Sequence, residues 1–158
     1  MKAQRIEGLT ADMTLDAAAR RIIAVRAAEL YAFVPEALDE EAVTPMHDMR
    51  IAAKRLRYLL ELVGFTIGDD GAEAQARARE LQEVLGEIHD CDVMLERIAA
   101  SHALEPNGFD VLAARFRAER AAHFTRFAEL WATIDQSGLR ERVLAHTIPS
   151  PQDAPLGA

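Results

Sequence analysis

Four side chains, His47, Arg50, Lys54 and Arg57, stand at i, i+3, i+7 and i+10. A helix advances about 100° per residue, so this spacing places all four on one side of it. Met49, Ala52, Ala53, Leu56, Leu59, Leu60 and Val63 fall on the other side and form the face to be buried. Tyr58 and Glu61 lie close to the basic row, and Arg55 flanks it. Three cations and an imidazole so close together repel one another unless water screens them or an anion lies against them. A solvated surface is one account of such a row, since exposed charges contribute little either way. Solvating faces usually mix signs, however, and here Glu61 is the interspersed acid. The shortage of acids favours a phosphate-rich anion, which guanidinium groups bind through forked, charge-assisted hydrogen bonds.

Helices must position these residues. The chain has 158 residues, half of them apolar, enough for one domain with its own core. Its 8 Gly and 6 Pro fall mostly between apolar-periodic segments, and alanine is abundant. The pattern predicts an all-α fold, an up-and-down bundle of four long helices with a short C-terminal helix. The first long helix is expected over 14–34, capped by Thr14 and followed by Pro35. An acidic connector, PEALDEEAV, leads to a helix over 45–63 opened by Thr44-Pro45. Residues 64–71 should break it. A third helix follows over 72–100, with a bend near Gly86 or Asp90, then a turn at 105–110. The fourth long helix covers 109–134 and the short one 139–146. Residues 1–12 read as a mobile lead-in, 13–146 as the bundle and 147–158 as a disordered tail.

Charge and composition exclude several functions. A net charge of −8 does not suit nucleic acid as the main ligand. The charge is uneven, because Glu36, Asp39, Glu40 and Glu41 immediately precede the basic segment. Apart from Lys2 and Lys54 the cations are arginines. Cys91, the single cysteine, gives neither a disulfide nor a zinc pair and reads as a small core residue. A reducing, cytoplasmic setting is expected. No apolar run reaches the roughly 20 residues of a membrane span, so no membrane partner is expected. Trp131 and the phenylalanines near it read as core. No paired carboxylates sit beside a nucleophile and no Gly-rich phosphate loop precedes a helix, so catalytic residues, metal and cofactor are not expected.

Other cations fall on apolar stripes. Arg26 is in line with Leu15, Ala19, Ile22, Leu30 and Phe33. Arg120 and His123 sit among Leu112, Phe116, Phe127 and Leu130, with Arg115 and Arg126 at the edge. Buried cations need partners. Asp92, on the stripe of Leu81, Val84, Leu85, Ile88 and Leu95, offers one. A single inward acid does not balance several inward cations, and the remainder would suit a polyanion held along a groove.

The stretch MHDMRIAAKRLRYLLELVGF, with LQEVLGEIHDCDVMLERI downstream, resembles the CHAD family, the conserved histidine α-helical domain. His47, Arg50, Ile51, Lys54, Arg55, Leu56 and Arg57 match its first signature. Leu85, Gly86, His89, Asp90, Asp92 and Val93 match its second, and FAELW at 127–131 agrees with the downstream sequence of relatives. The resemblance implies a helical domain that binds inorganic polyphosphate without catalysis, through His47, Arg50, Lys54 and Arg57. Arg55, Arg26, Arg115, Arg120, His123 and Arg126 are added from helix geometry as secondary anion contacts. His89 stands where relatives often carry Arg, so a phosphate contact there would weaken above neutral pH. Asp90 and Asp92 read as orienting or pairing groups. Longer relatives hold two related bundles, whereas this chain has one copy of the motif. A homodimer is therefore expected, as is association with polyphosphate granules.

Two rival readings remain. A metal-dependent phosphohydrolase of the HD type would use His47, the His89-Asp90 pair and Asp110 or Asp135 as ligands, in a segment whose cations repel a divalent metal. A helical protein-interaction module would not need the basic face at all. A di-iron bundle is excluded, since no His has a Glu three residues before it.

Overall fold

A computed structural model describes residues 2–101 and 106–146. Its helices are α1 (Leu15–Ala32), α2 (Val34–Ala37), α3 (Val43–Val63), α4 (Gly68–Ala100), α5 (Pro106–Gln136) and α6 (Leu139–Ala145), with a 3₁₀ turn at Gly64–Ile67. The four long helices form an all-α bundle, with no strand among the described residues. Neighbours follow the chain, with α3 between α1 and α4 and α5 on the far side of α4. The short α6 folds back against α4, α1 and α5. The tail at 147–158 lies outside the described residues.

Local signals explain most boundaries. The Thr14 hydroxyl accepts from the Ala17 amide at 3.2 Å and caps α1. Pro35 stands in the single turn of α2, inside the acidic connector. By contrast, α3 starts at Val43, before the expected Thr44-Pro45 opening, and Ala42 gives it no side-chain cap. First-turn amides have no partner within the helix, so Pro45 can sit in that turn at no cost in hydrogen bonds. The same tolerance moves the start of α5 back to Pro106, into the segment expected to be a turn. The α3–α4 break is also shorter than expected. It is a four-residue 3₁₀ turn, after which Gly68, at φ 58°, starts α4. A Cβ on Gly71 would overlap the Gly64 carbonyl oxygen, so the two backbones cross where only glycine fits. From there α4 runs as one 33-residue helix through Gly86 and Asp90.

The core sits where α3 faces its neighbours. Ile23, Ala27 and Leu30 from α1, Met46, Met49, Leu56 and Leu60 from α3, and Leu81, Leu85 and Ile88 from α4 are buried together. Ala52 and Ala53 keep the middle of α3 thin. Phe127, Trp131 and Ile134 of α5 complete the core with Leu139 and Val143 of α6. Trp131 meets the Tyr31 ring edge-on at 5.1 Å, and burial is the main cause that pushes the Tyr31 hydroxyl up to about 12. Cys91 is buried, as expected.

Two carboxylate clusters fasten the ends. Glu29, only 2 % exposed, accepts from Arg26 at 2.7 Å and from the Gln4 amide at 3.0 Å. Arg26 also donates to the Gln4 carbonyl at 3.0 Å, and Arg21 to that of Glu7 at 2.5 Å. The lead-in thus lies hydrogen-bonded along α1. At the other end Arg142 of α6 binds Asp70 at 2.8 Å and also Glu73. His146 Nε2 stands 2.8 Å from Asp70.

The first cluster predicts that Glu29→Gln lowers stability by about 3 kcal/mol in urea titration, because it removes one member of a buried ion pair. The second predicts acid lability. Hydrogen bonds from Arg142 and then His146 hold the Asp70 carboxyl below the usual range. That contribution is present above the unfolded carboxylate value and is lost as pH falls through the depressed folded value. Amide exchange in α6 should therefore speed up in acid ahead of the core, and Asp70→Asn should bring the fast exchange to neutral pH.

Candidate anion-binding site

The basic row lies along the seam between α3 and α4. The apolar face of α3 is buried, so Arg50 and Arg57 leave on the flank facing α4, while Arg55 leaves on the flank facing α1. On α4, Gln82, Gly86 and His89 recur at helical spacing and face the row. Arg57 Nη1 donates to Gln82 Oε1 at 3.3 Å, and its Nε to Glu61 at 2.9 Å. Arg50 lies over Gly86, its Nε 3.6 Å from where a Cβ would stand. His47 and His89 close the row, with Nδ1 atoms 3.4 Å apart and ring centroids 4.7 Å apart. In the neutral pair one Nδ1–H donates to the other ring, whereas two protonated rings would face each other N–H to N–H. Tyr58 places its ring beneath the cations, 4.9 Å from the Arg57 guanidinium and 5.9 Å from Lys54 Nζ.

The pairing of these cations separates them sharply. The Arg50 Nε is sealed from solvent with no hydrogen-bond partner. Among the described residues neither Arg50 nor Lys54 has an ion pair. The secondary contacts inferred from helix geometry are each answered by an acid. Arg26 and Arg55 approach Glu29 at 2.7 and 3.6 Å. Arg120 binds Asp92 at 2.5 Å and the Glu40 carbonyl at 2.8 Å. His123 and Arg126 share Glu87 at 3.1 and 2.9 Å, and the exposed Arg115 pairs with Glu119 at 2.9 Å. His89 joins the row through His47, Asp92 is a pairing group, and Asp90 is exposed.

The expectation of a single inward acid is corrected by Glu29 and Glu87, which the stripe positions did not reveal. Arg26 and Glu29 are three residues apart, a spacing that suits a pair on one helix and was there to be read. Glu87 reaches its partners across two helices, and nothing local marks it. The opening between α4 and α5 is lined by Glu80, Glu83, Glu87 and Glu129, with Arg126 as the cation. A polyanion would be repelled there, which leaves the α3–α4 seam.

The ligand set of the phosphohydrolase reading does not gather. Asp110 and Asp135 lie near opposite ends of α5, and among the described residues no three His, Cys, Asp or Glu side chains come together as metal ligands.

The family model for the CHAD domain matches residues 2–99. The chain belongs to the CHAD domain family. No curated protein and no solved structure matches it. The matched span of this CHAD domain ends at the C-terminus of α4 and so contains both walls of the seam. Arg115, Arg120, His123 and Arg126, all on α5 and all acid-paired, lie beyond it. No described helix is long and apolar enough to cross a membrane.

The two kinds of arginine should respond differently to removal. A buried donor without a partner costs about 1–3 kcal/mol, so Arg50→Met should hold or raise the melting temperature. Arg120→Met deprives the half-buried Asp92 of its partner and should lower it. Calorimetry of the two variants at one pH checks both signs.

Proposed function

We propose that this CHAD domain binds inorganic polyphosphate, without catalysis, through Arg50, Lys54 and Arg57 along the α3–α4 seam, with His47 at one end. The observation that carries the reading is the distribution of acids. A chain of net charge −8 leaves Arg50 and Lys54 without an ion pair among the described residues, while the secondary cations inferred beside them are neutralised from within. A linear polymer of phosphates fits a straight row with successive cations about one turn apart, and each guanidinium can fork two phosphate oxygens. Gln82 and Tyr58 hold Arg57 in place, which reduces the ordering cost on binding.

The reading needs no metal and no nucleophile. The imidazole pair adds donors to the anion when protonated, so polymer binding favours the charged rings. Cytoplasmic polymer, free or in granules, is the partner that this chemistry fits.

A charge-assisted contact contributes on the order of 1.5–3 kcal/mol. Replacing Arg50 and Lys54 together by Ala should therefore weaken long-chain polyphosphate binding by at least roughly a hundredfold, with the circular dichroism unchanged. Calorimetric titration at fixed ionic strength reads the loss, and affinity should fall steeply as salt rises. Equal binding by the double variant and the wild type would overturn the site. ATP and single-stranded DNA as competitors test the ligand, because effective displacement by either would make the seam a general polyanion site.

A further inference from the structure

The outer face of α3 carries a second feature that the anion row does not use. Ile51, Tyr58 and Phe65 stand seven residues apart, with Leu62 between the last two. Tyr58 is 46 % exposed, Leu62 75 % and Phe65, in the turn after α3, 71 %. Heptad spacing of this kind is the pattern of a helix that packs on another helix, yet no described part of this chain covers these side chains. The stripe lies beside the basic row on the same helix, and Lys54 and Glu61, also seven apart, stand between the two.

Charge decides the occupant. A helix packed antiparallel to this face must meet a cation at one end of the flank and an acid at the other. An antiparallel copy of α3 has that order: Lys54 of each chain falls opposite Glu61 of the other, twice across one two-fold axis. Glu61 already accepts from Arg57 within its own chain and has a second oxygen for the incoming ammonium. The two-fold axis is perpendicular to the helices and keeps their shared flank on one side. Arg50, Lys54 and Arg57 of both chains would then line a single strip. Without a ligand the two rows repel, and a polyanion laid across them removes the repulsion.

We infer that a second copy of this chain docks on the Ile51–Tyr58–Leu62–Phe65 face of α3, antiparallel, and that polyphosphate bound across both basic rows drives the pairing. The inference rests on the proposed ligand. Its test uses the full chain and a large molar excess of long-chain polyphosphate, with the mass of the complex read by light scattering. In excess polymer, independent binders spread out to one copy per polymer, whereas specific pairing keeps two together. Two copies are expected for the wild type. The doubly polar variant Leu62→Ser/Phe65→Ser changes exposed residues and no charge, so it should fold, bind polymer and run as one copy. Its pairing should weaken at least tenfold. One wild-type copy per polymer, or an unchanged pair in the variant, overturns the pairing and leaves the ligand standing. Failure of the wild type to bind polymer at all overturns the ligand and the pairing together.

Discussion

A cation packed against a helix must find an acceptor or keep its water, and the arrangement of this bundle follows from how α3 meets that condition. Because α3 lies between α1 and α4, its cations leave along two flanks. On one flank the buried Glu29 waits for Arg55 and Arg26. On the other, α4 presents an amide, a glycine and an imidazole at Gln82, Gly86 and His89, and no carboxylate for Arg50. The difference is one of composition at three positions of α4, since acids are plentiful elsewhere on that helix. Glu80, Glu83 and Glu87 lie a short rotation away, toward α5.

The energetic cost of that arrangement is local. Arg50 forfeits a hydrogen bond at Nε, and like charges share one helix face. The burial of Met46, Met49, Leu56 and Leu60 beneath them offsets this, at about 1.5–3 kcal/mol for each large side chain. A site that is strained while empty gains when a ligand relieves it, so affinity and stability draw on the same residues in opposite directions. The paired arginines do the reverse. Arg120 and Arg142 join elements far apart in sequence and spend their charge on the fold.

Much of this was legible in the sequence. Four long helices and the buried face of α3 follow from periodicity alone, because an apolar stripe of sufficient length admits one secondary structure. The row of His47, Arg50, Lys54 and Arg57 follows from the same arithmetic, and its meeting with His89 from two motif segments taken together. Pairing across helices was not legible. Whether Arg126 is free depends on the register of α5 against α4, and that register is set by side-chain packing along some 30 residues. Pro45 and Pro106 misplaced two helix starts, because the rules for a first turn permit proline at more than one position. Glu29 was hidden by its type, since an isolated glutamate in a mobile-looking region reads as surface until the chain is seen folding over it.

The backbone crossing of Gly64 and Gly71 has a consequence for how such a domain can change. It sets where α4 begins, and every later residue of α4 inherits its bearing from that point. One residue added to or removed from the intervening turn would rotate α4 by about 100° and shift it by about 1.5 Å. Gln82, Gly86 and His89 would then leave the seam together, and glutamates would take their place. The hairpin therefore works as a vernier, fixing the sign of the charge that the bound polymer meets some 20 residues further along the helix. Lineages of this domain can vary the seam one side chain at a time, but they cannot vary the length of this turn without inverting the seam's polarity.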